Sequence, residues 1–125
     1  MSDNLFSQFP GLDATYLNDA YGQDAETAAM VFEQYLQDLP GNLQSLKESF
    51  QAGDAAALRQ RMHKQKPAFS YVGLTDITEK LHHLEATLQN PADIEANKAL
   101  IEQVLQRIET TKPVIEKALQ QLQQP

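Results

Sequence analysis

The residues best placed to do chemistry lie in the stretch Ala55–Gly73, AAALRQRMHKQKPAFSYVG. Its single histidine, His63, stands between Arg59 and Lys66. Leu58, Met62, Phe69 and Val72 recur at helical spacing, with Gln65 the one polar interruption, and define a buried stripe. An advance of roughly 100° per residue puts His63 about 140° from the centre of that stripe. Arg59, Lys66 and Ser70 fall between the two, and Pro67 lies just beyond. An imidazole facing water beside two cations suits a group that must meet an anion. Near neutral pH an ordinary solvated imidazole is largely unprotonated, so it can attack phosphorus without a dedicated base. Phosphoryl transfer asks for positioning and charge neutralisation more than for covalent machinery. Lys66, one turn on and expected to be exposed, offers the neutralising charge.

Plainer readings compete at each position. A histidine on a helix surface is usually only solvated, and Arg59 with Lys66 also describes an ordinary wet face. Glu85 reads first as an exposed charge at the edge of a leucine stripe. Ser70 and Tyr71 read as packing and surface residues. His82 and His83 point about 100° apart, so they are not a helical ligand pair. With His63 and Glu85 they could hold zinc across two helices, provided that His82 faces His63. No Ser-His-Asp arrangement is present, and the absence of cysteine removes thiolate catalysis, disulfides and Cys-type zinc sites. No Gly-rich phosphate loop occurs, and the acidic residues are scattered, which argues against an ATP site and against autokinase activity.

The elements that must position His63 read as helices throughout. Leu5, Phe6 and Phe9 precede a Pro10-Gly11 turn. Asp13 caps a short helix to about Ala20, ended by Gly22. Asp24 opens a long series, Ala25, Ala29, Phe32, Leu36, Leu39, Leu43, Leu46 and Phe50, whose phase survives Pro40-Gly41. One kinked helix over 25–52, with the carbonyl of Leu36 left without its helical partner, is preferred to the alternative of two separate helices. Gly53 and Asp54 punctuate the start of the His63 helix, which runs to about Val72 and stops at Gly73. Asp76 and Glu79 have capping-box form and start a helix with the stripe Ile77, Leu81, Leu84 and Leu88. Asn90-Pro91 starts a last helix, with Ile94, Ile101, Val104, Ile108, Ile115 and Leu122 in heptad phase and a kink at Pro113. No strand pattern, repeat or long linker appears.

At 125 residues the chain is expected to be a single domain over 1–125 with a proper core. Short connections force antiparallel neighbours. The expected fold is therefore all-α: an antiparallel up-down-up-down four-helix bundle with a short N-terminal covering helix. A formal net charge of −7 argues against nucleic acid or an anionic membrane as partner, while leaving room for a local basic spot at Arg59, Lys64 and Lys66. The start, MSDNLFSQFP, has no leader pattern, and no apolar run reaches membrane length. A cytoplasmic monomer is expected.

The histidine stretch resembles the histidine-containing phosphotransfer, or HPt, domain family. The likeness rests on His63, Lys66 three positions on, small Ala68, Gly73-Leu74 closing the segment, and Leu84-Glu85 in the next helix. Gly53-Asp54 before the histidine helix also fits. The resemblance implies a phosphorelay intermediate. On it, His63 accepts a phosphoryl group, through Nε2, from a receiver-domain aspartate and passes it to a response regulator. Lys66 would neutralise the phosphoryl oxygens and Glu85 would orient the imidazole, with Arg59, Pro67 and Ser70 bordering the binding face. The implied partners are receiver domains of hybrid histidine kinases and response regulators. No cofactor of its own is expected, the Mg²⁺ belonging to the receiver. One departure stands out: the family usually has Gly after the lysine, and this chain has Pro67. A kink at the turn of His63 is expected, re-aiming the imidazole or restricting which receivers dock. The alternative from another class is a helical docking module that binds receivers or other partners without carrying phosphate.

Overall fold

The structure, a computed structural model, describes residues 5–124. Met1–Asn4, where the stretch without a leader pattern begins, and Pro125 lie outside the described residues. The helices are α1 (Ala14–Tyr21), α2 (Ala25–Ala52), α3 (Ala55–Tyr71), α4 (Thr75–Thr87), α5 (Pro91–Ala96), α6 (Lys98–Glu109) and α7 (Thr111–Leu122), with no strand among the described residues. α3 packs between α2 and α4, and the α6–α7 arm closes the ring against both α2 and α4. The fold is an all-α bundle with α1 laid across one end.

The first three helices start where carboxylates cap them. Asp13, Asp24 and Asp54 each accept a hydrogen bond from the backbone N–H three residues on, at 3.0 Å, satisfying a donor that the first turn leaves free. α2 runs unbroken through Pro40-Gly41, both of which face solvent. Its buried face differs from the expected stripe. Ala28, Tyr35 and Ser49 are buried with Phe32, Leu39 and Leu46, while Leu36, Leu43 and Phe50 are only partly covered. The helix is packed from two sides, by α3 and α7, and this turns its core face toward Tyr35. The Tyr35 hydroxyl can be buried there because it shares a 2.8 Å hydrogen bond with Thr111. Burial pushes this phenol up to about 12, against opposing help from Thr111 and Arg107.

Two expectations at helix starts are corrected. The Asp76–Glu79 capping box does not form: α4 begins at Thr75 behind Leu74, with no side-chain cap. Asp76 instead pairs with Arg107 of α6, at 3.1 and 3.3 Å. The last helix is three helices rather than one. The capping box that does form is Asn90 with Asp93, on the short α5. The breaks fall at Asn97 and at Thr110, so Pro113 lies in the first turn of α7, where a missing N–H removes no intrahelical bond.

The corner between α3 and α4 is fastened from outside. Gly73 takes φ +79°, and a Cβ there would lie 2.8 Å from Leu17 Cδ1 and 3.1 Å from Leu12 Cβ. The backbone N–H of Asp13 donates to Gly73 O at 2.8 Å, and Thr75 donates to the Asp13 carboxylate at 2.9 Å. The Tyr21 hydroxyl donates to Tyr71 O at 2.7 Å. The covering helix therefore holds the end of the helical pair that carries His63.

Candidate functional site

α3 presents Leu58, Met62, Gln65 and Phe69 to the core. Gln65, the polar interruption, is buried by donating to Asn42 O and Ser45 Oγ on α2, both at 3.1 Å. With that face inward, His63 must point out, and its side chain is 74% exposed. The helix continues through Pro67, which is exposed one turn after His63 on the same outer face. Pro67 therefore does not break α3, and His63 still reaches its partner on α4.

A polar seam joins α3 to α4. Arg59 meets Gln89, His63 meets Glu85, Lys66 meets His82 and Ser70 meets Thr78, at 3.5, 2.7, 3.3 and 2.8 Å. Each step of four, three or four residues up α3 is matched by the same step down α4 from Gln89, just past its C-terminal end, which is the register of an antiparallel pair. The rungs differ in exposure, and this sorts the expected site residues. Arg59 turns to the end of α4, donating to Leu88 O at 3.0 Å. Ser70 is buried, its hydroxyl taken up by Thr78. Lys66 was expected to be exposed, but its side chain is only 19% exposed, because Glu85 and His82 draw it down onto α4.

Glu85 is the hub of the seam. One oxygen lies 2.7 Å from His63 Nδ1, the other 2.7 Å from Lys66 Nζ, and the side chain is 14% exposed. Burial acts most strongly on this carboxyl and opposes its ionisation. Hydrogen bonds from Lys66 and His63, with the charges behind them, together outweigh burial and hold it below its usual value. An ionised carboxylate only accepts hydrogen bonds, so the Nδ1 of His63 carries the proton. In the neutral ring the lone pair is then on Nε2, in the exposed part of the side chain. Sequence reasoning missed the place of His82, weighed there only as a zinc ligand. Its Nδ1 meets the Lys66 ammonium rather than His63. Among the described residues no cluster of three metal-ligating side chains occurs. The signal that could have found His82 was its antiparallel register with Lys66.

Comparison with known proteins assigns the family: residues 30–125 match the model of the Hpt domain. The chain belongs to the Hpt domain family. The chain is also similar in structure to histidine-containing phosphotransfer protein B (HptB) from Pseudomonas aeruginosa PAO1, a crystal structure. The two share 25% sequence identity with a TM-score of 0.74, over 89% of this chain and 96% of that one. No curated protein matches. Hpt domains are phosphocarriers of phosphorelay signalling and work with receiver domains of two-component systems. This Hpt domain has no helix, among the described residues, long and apolar enough to cross a membrane. Its three histidines lie in different settings. His63 has Nδ1 bonded to a carboxylate, His82 has Nδ1 against an ammonium, and His83 is exposed on α4.

Proposed function

We propose that His63 is the phosphoacceptor of this Hpt domain, receiving its phosphoryl group from a receiver-domain aspartate and giving it to a second receiver. The observation that carries the proposal is the Glu85 bond to Nδ1, which makes the exposed Nε2 the nucleophile. In the forward step the Nε2 lone pair forms the N–P bond, the P–O bond to the aspartate breaks, and the aspartate leaves as a carboxylate. The ring becomes a cation that keeps its Nδ1 proton against Glu85, so no proton has to leave. Return transfer reverses these changes, with the imidazole as leaving group. Glu85 orients the ring and stabilises the positive charge that builds on it. Lys66, shared with Glu85, is the cation for the phosphoryl oxygens, and the Mg²⁺ of the reaction belongs to the receiver.

α3 carries Arg59, Arg61, Lys64 and Lys66 and no acidic residue, within a chain of net charge −7. Such a cationic helix favours approach by the acidic pocket of a receiver. Pro67 is exposed one turn after His63 on the same outer face, so a receiver that docks on His63 meets its ring. The test is incubation with a phosphorylated receiver domain. Acid-labile, base-stable label on the wild-type protein and none on His63→Gln is expected. Receiver binding without label on the wild type would overturn the proposal in favour of a docking module.

A further inference from the structure

Lys66 is held from two sides by α4, and the second holder has no role in the reading above. Its ammonium is 2.7 Å from Glu85 Oε2 and 3.3 Å from His82 Nδ1. An ammonium has donors only, so a ring nitrogen that meets it must offer a lone pair. His82 is thereby held with Nδ1 bare and its proton on Nε2. The same reasoning gives His63 the opposite tautomer, since its Nδ1 donates to a carboxylate. One carboxylate and one ammonium thus link two imidazoles of opposite tautomer across a single pair of helices. The order along the seam is His63, Glu85, Lys66, His82.

We propose that His82 is a positioning residue for the phosphoryl group on His63, acting through Lys66. This rests on His63 being the phosphoacceptor. Lys66 reaches the site on a long side chain with many rotamers, and a single ion pair to Glu85 leaves it free to swing about one contact. The bond to His82 adds a second fixed point. The ammonium is then tied to α4 by an ion pair and a hydrogen bond, and donor capacity remains for an anion. A cation held ready in this way needs no reorganisation when the phosphoryl group arrives. Without His82, Lys66 keeps its charge and its partner Glu85 but loses its direction.

The experiment compares the whole protein with His82→Asn and His82→Leu. Asparagine places an accepting oxygen close to the position of Nδ1, whereas leucine keeps bulk and offers no acceptor. Each protein is loaded with phosphoramidate: Nε2 of His63 attacks phosphorus, the P–N bond of the donor breaks, and ammonia leaves. Loading rate and subsequent transfer to a receiver domain are followed by label. His82→Leu is expected to be about three- to tenfold slower in both steps, with His82→Asn close to wild type. Nitrogen-resolved NMR of the unloaded wild type is expected to show His82 with an unprotonated Nδ1, and Lys66→Met to abolish that preference. Leucine and wild-type proteins of equal rate, or an asparagine variant as slow as leucine, would overturn the role of His82 while leaving His63 as acceptor. A wild-type protein that takes no label would overturn the phosphoacceptor reading itself, and this role with it.

Discussion

His63 Nδ1 and Glu85 Oε1 stand 2.7 Å apart across the seam between α3 and α4, the imidazole largely exposed and the carboxylate largely covered. The asymmetry matters chemically. A covered carboxylate is a firm acceptor that water does not compete for, and an exposed ring leaves its other nitrogen open to a partner. Glu85→Gln keeps the shape but removes the charge that supports a cationic ring. Phosphoryl transfer is expected to slow by about tenfold or more, the scale of a hydrogen bond to a charged group. Label uptake over time from a phosphorylated receiver measures this, and an unchanged rate would remove Glu85 from the mechanism.

The same residue gives a pH dependence with a definite sign. Its carboxyl is held below the usual value, burial opposing and the bonds from Lys66 and His63 prevailing. The unfolded chain therefore binds a proton at this group before the folded protein does. The Glu85 contribution to stability is complete above the ordinary glutamate range, about pH 4–5, and is lost as pH falls through the lowered value. Asp13 and Asp24, lowered by the backbone N–H groups that they cap, add the same trend in both proteins compared. Thermal melts from pH 7 to pH 3 should show Glu85→Gln losing less stability than wild type. Parallel curves would refute the linkage.

Pro67 interrupts the hydrogen bonding of α3 without ending the helix, and its missing donor is the one that would have bonded the carbonyl of His63. Pro67→Gly should leave the helix and the Glu85 contact in place and broaden the set of receivers that accept phosphate from His63. Transfer rates across several receivers decide the matter. Identical rates and identical preference would show the ring to be irrelevant to docking.

Gly73 combines a left-handed φ of +79° with Leu17 and Leu12 packed where a Cβ would go. Both faults fall on Gly73→Ala, and a loss of about 1–3 kcal/mol in a urea titration is expected. Its effect on transfer should be small at temperatures where the variant is folded, because the corner lies beyond the buried Ser70–Thr78 rung. A variant as stable as wild type would show that α1 does not clamp the corner.

Lys64 is exposed beside His63 and makes no ion pair among those described. Lys64→Glu should lower the rate of transfer from an acidic receiver at low salt, by about three- to tenfold, and flatten its salt dependence. Equal salt slopes for the two proteins would mean that the cationic face does not steer the encounter.

Much of this arrangement was legible in the residues, and what was not has physical causes. Asp13, Asp24 and Asp54 announced helix starts because a capping carboxylate acts locally, within three residues. Asp76 carried the same local signal, but Arg107, remote in sequence, captured it, and tertiary pairing of that kind has no signature in a single chain. Tyr35 was passed over in the α2 stripe because its hydroxyl reads as polar until Thr111 is brought against it. Lys66 was placed correctly in angle and wrongly in exposure. Angular position on an isolated helix says nothing of how closely the next helix comes. Thr110 gave no warning of a break, since its backbone stays near helical values and the heptad phase runs on past it.

The α3–α4 seam is secured at the Arg59 end by a bond to Leu88 O and at the Gly73 end by α1, with His63 between the two. On the proposed role of His63, donor and acceptor dock on one face that these two fastenings hold in place. Neither partner has to induce the site, and both must vie for the same ground. On that role, direction of flow along the relay follows the abundance of the two partners and the relative stability of their acyl phosphates.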